Sequence, residues 1–245
     1  MRMRKKKHGE ERLAKCQEFL YEHKNNEPLK NPVTVFGKSE GKVYLEIGAG
    51  KGGFACGMVQ KHPDVCYFAM ERVTDCVVLA AERASEAGLN NNLRFMIDSA
   101  DRLMAIFAPG SVDKIFLNFS DPWSKKGYAK RRLTHRRYLA VYLTLLKEGG
   151  TLTFKTDNDG LFDFSLEEIA GIGLSPVALT RDLHASEWNE GNVVTEYEAN
   201  FSSQGVKINM LQIQRPTGRD FTELIPYELT PEGIREPLRF SGREK

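Results

Sequence analysis

Val43-Tyr44-Leu45-Glu46-Ile47-Gly48-Ala49-Gly50-Lys51-Gly52-Gly53 joins two different signals. Val43–Ile47 is a short β-rich run, and the glycines after it allow a tight turn in which a ligand can approach the backbone closely. A helical pattern over Gly52–Lys61 follows, then a β-rich run at Val65–Met70, a helical one at Asp75–Ala87 and a β-rich one at Leu93–Ile97. Such alternation predicts βαβ units around a parallel sheet. Further strands are expected at Val112–Phe119, Thr151–Thr156, Pro176–Thr180 and Val206–Ile213, with helices over Leu133–Leu146 and Leu161–Ala170. The fold class is therefore α/β, a doubly wound, mostly parallel, seven-stranded sheet. Tyr138, Val141, Tyr142 and Leu145 fall at helical spacing, so the basic residues before them are expected to open a helix whose later turns pack on the sheet.

The second informative stretch is Asn118-Phe119-Ser120-Asp121-Pro122-Trp123, which places a carboxylate at a strand end, between Pro and the residues leading out of the strand. Seven Lys or Arg follow within residues 125–137 (Lys125, Lys126, Lys130, Arg131, Arg132, Arg136, Arg137), together with His135, and no acid occurs between Asp121 and Glu148. A solvated helix face usually alternates its charges, whereas a one-signed cluster suits a polyanion. One acid thus sits beside a surface fit for nucleic acid.

At 245 residues, 41% apolar and 28% charged, the chain suits one globular domain with appendages at its ends. The expected division is 1–40 as an N-terminal arm and helix, 41–216 as the main domain and 217–245 as a C-terminal extension. Met1–His8, with Arg2, Arg4, Lys5, Lys6 and Lys7, reads as a disordered arm, and the tail with Pro226, Pro231 and Pro237 as a surface strap or mobile extension. A net charge of +2 is modest, so affinity for a polyanion has to come from local clustering. Cys16, Cys56, Cys66 and Cys76 form no C-x-x-C pair and no disulfide framework, which fits small buried residues in a reducing compartment. With His8, His23, His62, His135 and His184 scattered, no metal is expected. No apolar run approaches the roughly 18 residues of a membrane helix, and no apolar segment follows the N-terminal charges. A cytoplasmic protein without a membrane partner, monomeric or homodimeric, is expected.

The glycine loop is ambiguous alone. Gly48, Gly50 and Gly53 satisfy a dinucleotide fingerprint, while Glu46, Gly48, Gly50 and Gly52 satisfy the E-x-G-x-G-x-G pattern of methyltransferases. Glu71, ending the second strand, can accept from the ribose hydroxyls of either cofactor. Asp98, ending the third, is placed to accept from an adenine amine. Glu46, Glu71, Asp98 and Asp121 then recur at strand ends, where open α/β sheets bind ligands. Four carboxylates would repel a pyrophosphate but serve a sulfonium, an ammonium, ribose hydroxyls and an adenine amine, which describes S-adenosylmethionine. The plainer alternative is that each acid caps a helix or solvates a loop.

Several separated motifs together resemble the bacterial tRNA (guanine-N7-)-methyltransferases, within the Rossmann-like class I S-adenosylmethionine-dependent methyltransferases. They are Leu45-Glu46-Ile47-Gly48 with its glycines, Asn118–Trp123 with its cationic run, Phe154-Lys155-Thr156-Asp157 and Thr195-Glu196-Tyr197-Glu198, spread over residues 41–216. The family usually has Pro where this chain has Ser124, and more basic or histidine residues than Gly127-Tyr128-Ala129. The resemblance implies methyl transfer from S-adenosylmethionine to N7 of guanine in tRNA, with variable-loop guanosine 46 the expected target. It implies cofactor binding at Glu46, Gly48, Gly50, Glu71, Asp98 and Asp121, with Asp121 catalytic. It further implies that Lys125, Asp157 and Thr195, Glu196, Tyr197 and Glu198 engage the RNA or its guanosine. Lys126, Lys130, Arg131 and Arg132 are expected to contact phosphate.

Guanine N7 has a lone pair and no proton, so its methylation needs positioning and desolvation rather than a general base, and Asp121 suits an electrostatic role. Asp157, Glu196 or Glu198 would accept from the guanine edge, and Trp123 or Tyr197 is either a stacking partner of the base or, the plainer reading for any single aromatic, a core residue. The alternatives are methylation of an exocyclic amine (adenine-N6 or cytosine-N4), a nicotinamide-dependent oxidoreductase, and a non-catalytic RNA-binding module that retains the fold.

Overall fold

The structure is a computed structural model that describes residues 9–25 and 27–234. Its sheet has seven strands in the order β3-β2-β1-β4-β5-β7-β6. They are β1 (Val43–Ile47), β2 (Cys66–Glu71), β3 (Leu93–Ile97), β4 (Val112–Asn118), β5 (Leu146–Thr156), β6 (Ala178–Thr180) and β7 (Asn209–Gln214). β3, β2, β1, β4 and β5 pair in parallel, and β7 runs antiparallel between β5 and β6. The expected doubly wound, mostly parallel sheet is what forms. Helices α1 (Gly9–Ala14), α2 (Gly53–Lys61), α3 (Thr74–Glu86), α4 (Leu103–Ile106), α5 (Arg136–Leu145), α6 (Asp159–Gly171) and α7 (Glu196–Ser202) complete the chain.

Successive strand residues face opposite sides, so β1 divides between two cores. Val43, Leu45 and Ile47 pack with Phe68, Leu117, Leu139 of α5 and Phe162 of α6, while Tyr44 packs with Tyr67, Phe116, Phe54 of α2 and Ala81 of α3. Every residue of β1 is buried, as expected of a central strand covered on both faces. Each large side chain so enclosed contributes about 1.5–3 kcal/mol. Cys16, Cys56 and Cys66 are buried free thiols, in keeping with a packing role, and Cys76 is half-buried.

The basic stretch departs from the expected helix. Residues Lys126–Arg131 form a separate 3₁₀ turn, and α5 begins only at Arg136. The break arises because Arg132 turns inward, donating from Nε to the Pro122 carbonyl at 2.9 Å and from Nη2 to that of Trp123 at 3.2 Å. His135 then caps α5 by accepting from the Arg137 amide at 3.2 Å. β5 is longer than expected and begins at Leu146, with a register shift against β4 between Val112 and Lys114.

The ends are tied down where they are described. Arg12 of α1 makes two 2.6 Å bonds to Glu82 of α3, and the chain then follows the outer edge of β3, where the Tyr21 amide donates to the Phe95 carbonyl at 2.9 Å. That covering removes an open sheet edge. From residue 217 the chain forms a strap whose Phe221, Ile225 and Leu229 join the core beneath α5. The arm expected at Met1–His8 and the last part of the tail, with Pro237, lie outside the described residues.

Gly52 sets the entry to α2. It is left-handed at φ 72°, and an added Cβ would lie 2.7 Å from the Ala80 Cβ and 3.1 Å from the Phe95 ring. Gly48, at φ 82°, has nothing within 4 Å of such a Cβ. Gly48→Ala should therefore lose only the left-handed backbone cost of about 1–2 kcal/mol, and Gly52→Ala should lose that plus roughly 1–3 kcal/mol of overpacking. Urea midpoints of the two variants check this; equal losses would show that the α2–α3 packing yields without cost.

Candidate active site

The order of the sheet reverses between β1 and β4, and the crevice beyond the carboxyl ends of these strands is the expected ligand site of such a fold. Two cavities of about 400 Å³ and 390 Å³ lie there and meet at Gly48 and Phe119. Glu71, Asp98, Asp121, Trp123 and Arg131 line the first. Glu46, Gly50, Asn118, Thr195, Glu196 and Tyr197 line the second. The strand-end acids and glycines named from the sequence are thus gathered around one cleft.

The glycine loop is held by the neighbouring strand. Gly48 and Ala49 donate their amides to the Met70 carbonyl at 2.8 Å and 3.0 Å. One oxygen of Glu71 accepts from the Gly50 amide at 3.0 Å and the other from the Val73 amide at 2.9 Å. A carboxylate therefore occupies the Gly50 amide in the loop where a dinucleotide would set its pyrophosphate. Asp98 accepts from the Ser99 amide and from Arg102, both at 2.7 Å, and burial raises its pKa above the ordinary carboxylate value against these two partners.

The loop that follows β4 is strained and pinned. Phe119 (φ 51°) and Trp123 (φ 42°) are left-handed without being glycine, a conformation that costs about 1–2 kcal/mol each and persists only where the surroundings impose it. The Phe119 amide donates to the Lys155 carbonyl at 2.9 Å, and the two bonds from Arg132 hold the other end. Asp121 sits exposed between these anchors, facing the first cavity.

Behind the second cavity lies a buried polar network. Glu46, 1% exposed, accepts from Asn118 Nδ2 at 3.0 Å and from the Tyr67 hydroxyl at 3.3 Å. Burial pushes its carboxyl up to about 7, against the lowering effect of Asn118, Tyr67 and Lys155. Lys155, 3% exposed, donates to Glu198 at 2.6 Å and to Asn192 and the Val193 carbonyl at 3.1 Å. Burial lowers the Lys155 pKa, opposed by Glu198.

One expectation is corrected here. Glu198 does not face the cleft: it is fully buried, bonded to Lys155 and Asn192, and closes a capping box with Thr195 at the start of α7. It anchors the helix and has no free edge for a guanine. Arg132, half-buried, directs Nε and Nη2 to the carbonyls of the loop after β4 and lies over the Phe164 ring at 4.3 Å, so it braces that loop. The other residues keep an outward aspect. Lys125, Lys126, Lys130 and Arg131 are exposed at the rim, Asp157 accepts from the Tyr197 hydroxyl at 3.3 Å, and Glu196 pairs with Arg83 of α3. The sequence alone assigned no role to Lys155 or Asn118. The available signal was a lysine inside an otherwise uncharged β-rich run, Leu152-Thr153-Phe154-Lys155-Thr156.

Two stability tests follow from the network. Lys155→Met strands the Glu198 charge and should cost about 3–5 kcal/mol, whereas Lys155→Met with Glu198→Gln should recover much of it. Equal losses in single and double variants, read by chemical denaturation, would show that the pair is not coupled. Glu46 has a folded pKa raised from 4.5 to about 7, so its proton favours folding: the contribution is full below about pH 4.5 and is lost as pH rises through about 7. Glu46→Gln removes that dependence. Between pH 4.5 and 8 the variant should gain on the native chain by on the order of 3 kcal/mol, and a constant difference would refute the shift.

Comparison with known proteins agrees with this geometry. A family described as putative methyltransferase matches residues 40–211. A tRNA (guanine-N(7)-)-methyltransferase of Halalkalibacterium halodurans is 42% identical over 185 residues, covering 76% of this chain and 83% of the relative. Among solved structures, the 16S rRNA methyltransferase KamB superposes with a TM-score of 0.55 at 11% identity, over 76% of this chain and 94% of that one. An antibiotic-related methyltransferase gives 0.53 at 14% identity, over 78% and 97%. At such identities these two likenesses bear on the fold alone, which is that of the class I methyltransferases. The match over most of the length, to both the family and the relative, means that the chain belongs to the tRNA (guanine-N7-)-methyltransferase family.

Proposed function

We propose that this cleft transfers a methyl group from S-adenosylmethionine to N7 of guanine in tRNA, at variable-loop guanosine 46, with Asp121 as the catalytic carboxylate. The observation that carries the reading is the position of Asp121: exposed on a strained, doubly anchored loop, between the acid-lined cleft and the cationic rim. The cleft fits the cofactor. Glu71 spends one carboxylate oxygen on the Gly50 amide and the other on the Val73 amide and keeps lone pairs for ribose hydroxyls, and Asp98, lining the same cavity, is the acceptor offered to an adenine amine. Gly48 and Gly50, left-handed and unobstructed, admit close approach, and Glu46 lies behind the second cavity to favour a cationic amino-acid end.

S-adenosylmethionine supplies an electrophilic methyl group on a positively charged sulfur when bound. The protein then has to hold guanine N7 in line and keep water out, since no proton is removed. Positive charge moves onto the purine as the bond forms, and the fixed Asp121 carboxylate stabilises it. Glu196 lines the second cavity and Asp157 bonds the Tyr197 hydroxyl at its wall, which supports them as acceptors from the guanine edge, and the Tyr197 ring is tilted at 41° against Phe119, 4.9 Å between ring centres. Lys125, Lys126, Lys130 and Arg131 supply phosphate contacts. The methyltransferase unit spans 41–216, with the segments before and after it as additions. No described helix is long and apolar enough to cross a membrane, and a tRNA substrate suits a cytoplasmic monomer or homodimer.

Asp121→Ala should slow single-turnover methyl transfer by about 10²–10³-fold, with saturating tRNA and methyl donor and the donor's affinity within a few-fold of native. Labelled donor and unmodified tRNA, followed by nucleoside analysis, read rate and product together. 7-Methylguanosine is expected; methylated adenosine or cytidine, or an undiminished rate in the variant, overturns the assignment.

A further inference from the structure

The 3₁₀ turn Lys126–Arg131 buries none of its residues, yet it carries an aromatic side chain. Tyr128 is 41% exposed, and its ring meets that of Trp123 edge-on, 5.9 Å between centres at 78°. The Arg131 guanidinium lies over both rings, 4.7 Å from the centre of Tyr128 and 5.2 Å from that of Trp123. The assembly is preorganised, because Arg132 bonds the Pro122 and Trp123 carbonyls from below. It is also continuous with the cleft: Trp123 and Arg131 line the cavity that Asp121 faces, while Tyr128 stands just outside it.

An exposed aromatic ring backed by a cation presents a surface on which any nucleobase can stack. The exposed Lys125, Lys126 and Lys130 around it, with no acid between Asp121 and Glu148, favour RNA as the occupant. A guanine inside the cavity leaves the rim for its neighbour in the strand. We propose that Tyr128, backed by Arg131 and Trp123, is a stacking platform for an unpaired nucleobase adjacent to the methylated guanosine. The inference rests on the tRNA-methylation reading above and extends it to a second base, an arrangement that favours an opened, single-stranded segment over an intact helix.

The test compares Tyr128→Ala, Tyr128→Leu and Tyr128→Phe for affinity to unmodified tRNA across a salt series. Loss of one stacked base should weaken binding by roughly 5- to 150-fold in the Ala and Leu variants, while Phe keeps native affinity. Stacking is not ionic, so the slope of log affinity against log salt should stay native in all three. A Lys126→Ala/Lys130→Ala variant should instead reduce the magnitude of that slope by roughly 0.7–0.9 for each phosphate no longer neutralised. Donor affinity should not move. Native tRNA affinity in Tyr128→Ala overturns the platform, as does Leu matching Phe, which would mark the ring as mere filler of the loop. A changed salt slope in Tyr128→Ala overturns it as well. Nucleoside analysis of the native reaction separates the two readings: tRNA bound without 7-methylguanosine defeats the methylation assignment alone.

Discussion

The cleft depends on a buried ion pair between Lys155 and Glu198. Lys155 belongs to β5, inside the sheet, and its side chain reaches across to Glu198, Asn192 and the Val193 carbonyl, which together hold the start of α7. Its own carbonyl accepts from the Phe119 amide and so helps keep the loop after β4 in a left-handed bend. One residue thus locates both walls, one through its side chain and one through its backbone. A charge taken out of water is tolerated only when its hydrogen bonds are met, and Lys155 meets three. Such a pair adds little net stability over apolar packing, but it accepts few alternative geometries, which is what a site built from separate segments requires.

Electrostatic order along the strand ends separates two tasks. Glu46 is enclosed, Glu71 and Asp98 are half engaged with backbone and arginine, and Asp121 is open. Going outward from Asp121 the sign reverses, and the exposed lysines begin within a few residues. The potential therefore favours a cation on the inner side and a polyanion on the outer, with Asp121 at the boundary. The protein's net charge of +2 conceals this arrangement.

Much of the fold was legible because its signals are local. Val43–Ile47 and Leu93–Ile97 were bounded correctly by composition and by the punctuation around them, and the strand-end acids could be read once the strands were known. What failed depended on distant partners. Nothing near Arg132 in the chain announces that its guanidinium will bond the Pro122 and Trp123 carbonyls, so the cationic run looked like one continuous helix start. Glu198 looked like a candidate for guanine because its motif sits beside the cleft; its burial against Lys155, 43 residues earlier, is a tertiary fact. The capping box between Thr195 and Glu198 was the missed local clue, since a Thr followed three residues later by Glu is a helix-start signature.

The position of β7 constrains the order in which the molecule is assembled. β5 pairs on one side with β4, made earlier, and on the other with β7, where Thr156 faces Asn209. During synthesis the β5 edge therefore stands open until the chain has grown by about fifty further residues, about 3–10 s at roughly 5–20 residues per second. An unpaired strand edge of this kind is a template for unwanted association. The glycine loop and strands β1 to β4 can form on the ribosome, while the wall carried by α7 arrives in the same late stretch as β7. A nascent chain thus assembles the glycine loop and the strand-end acids of β1 to β4 before the wall carried by α7, and chaperone dependence should concentrate in that interval.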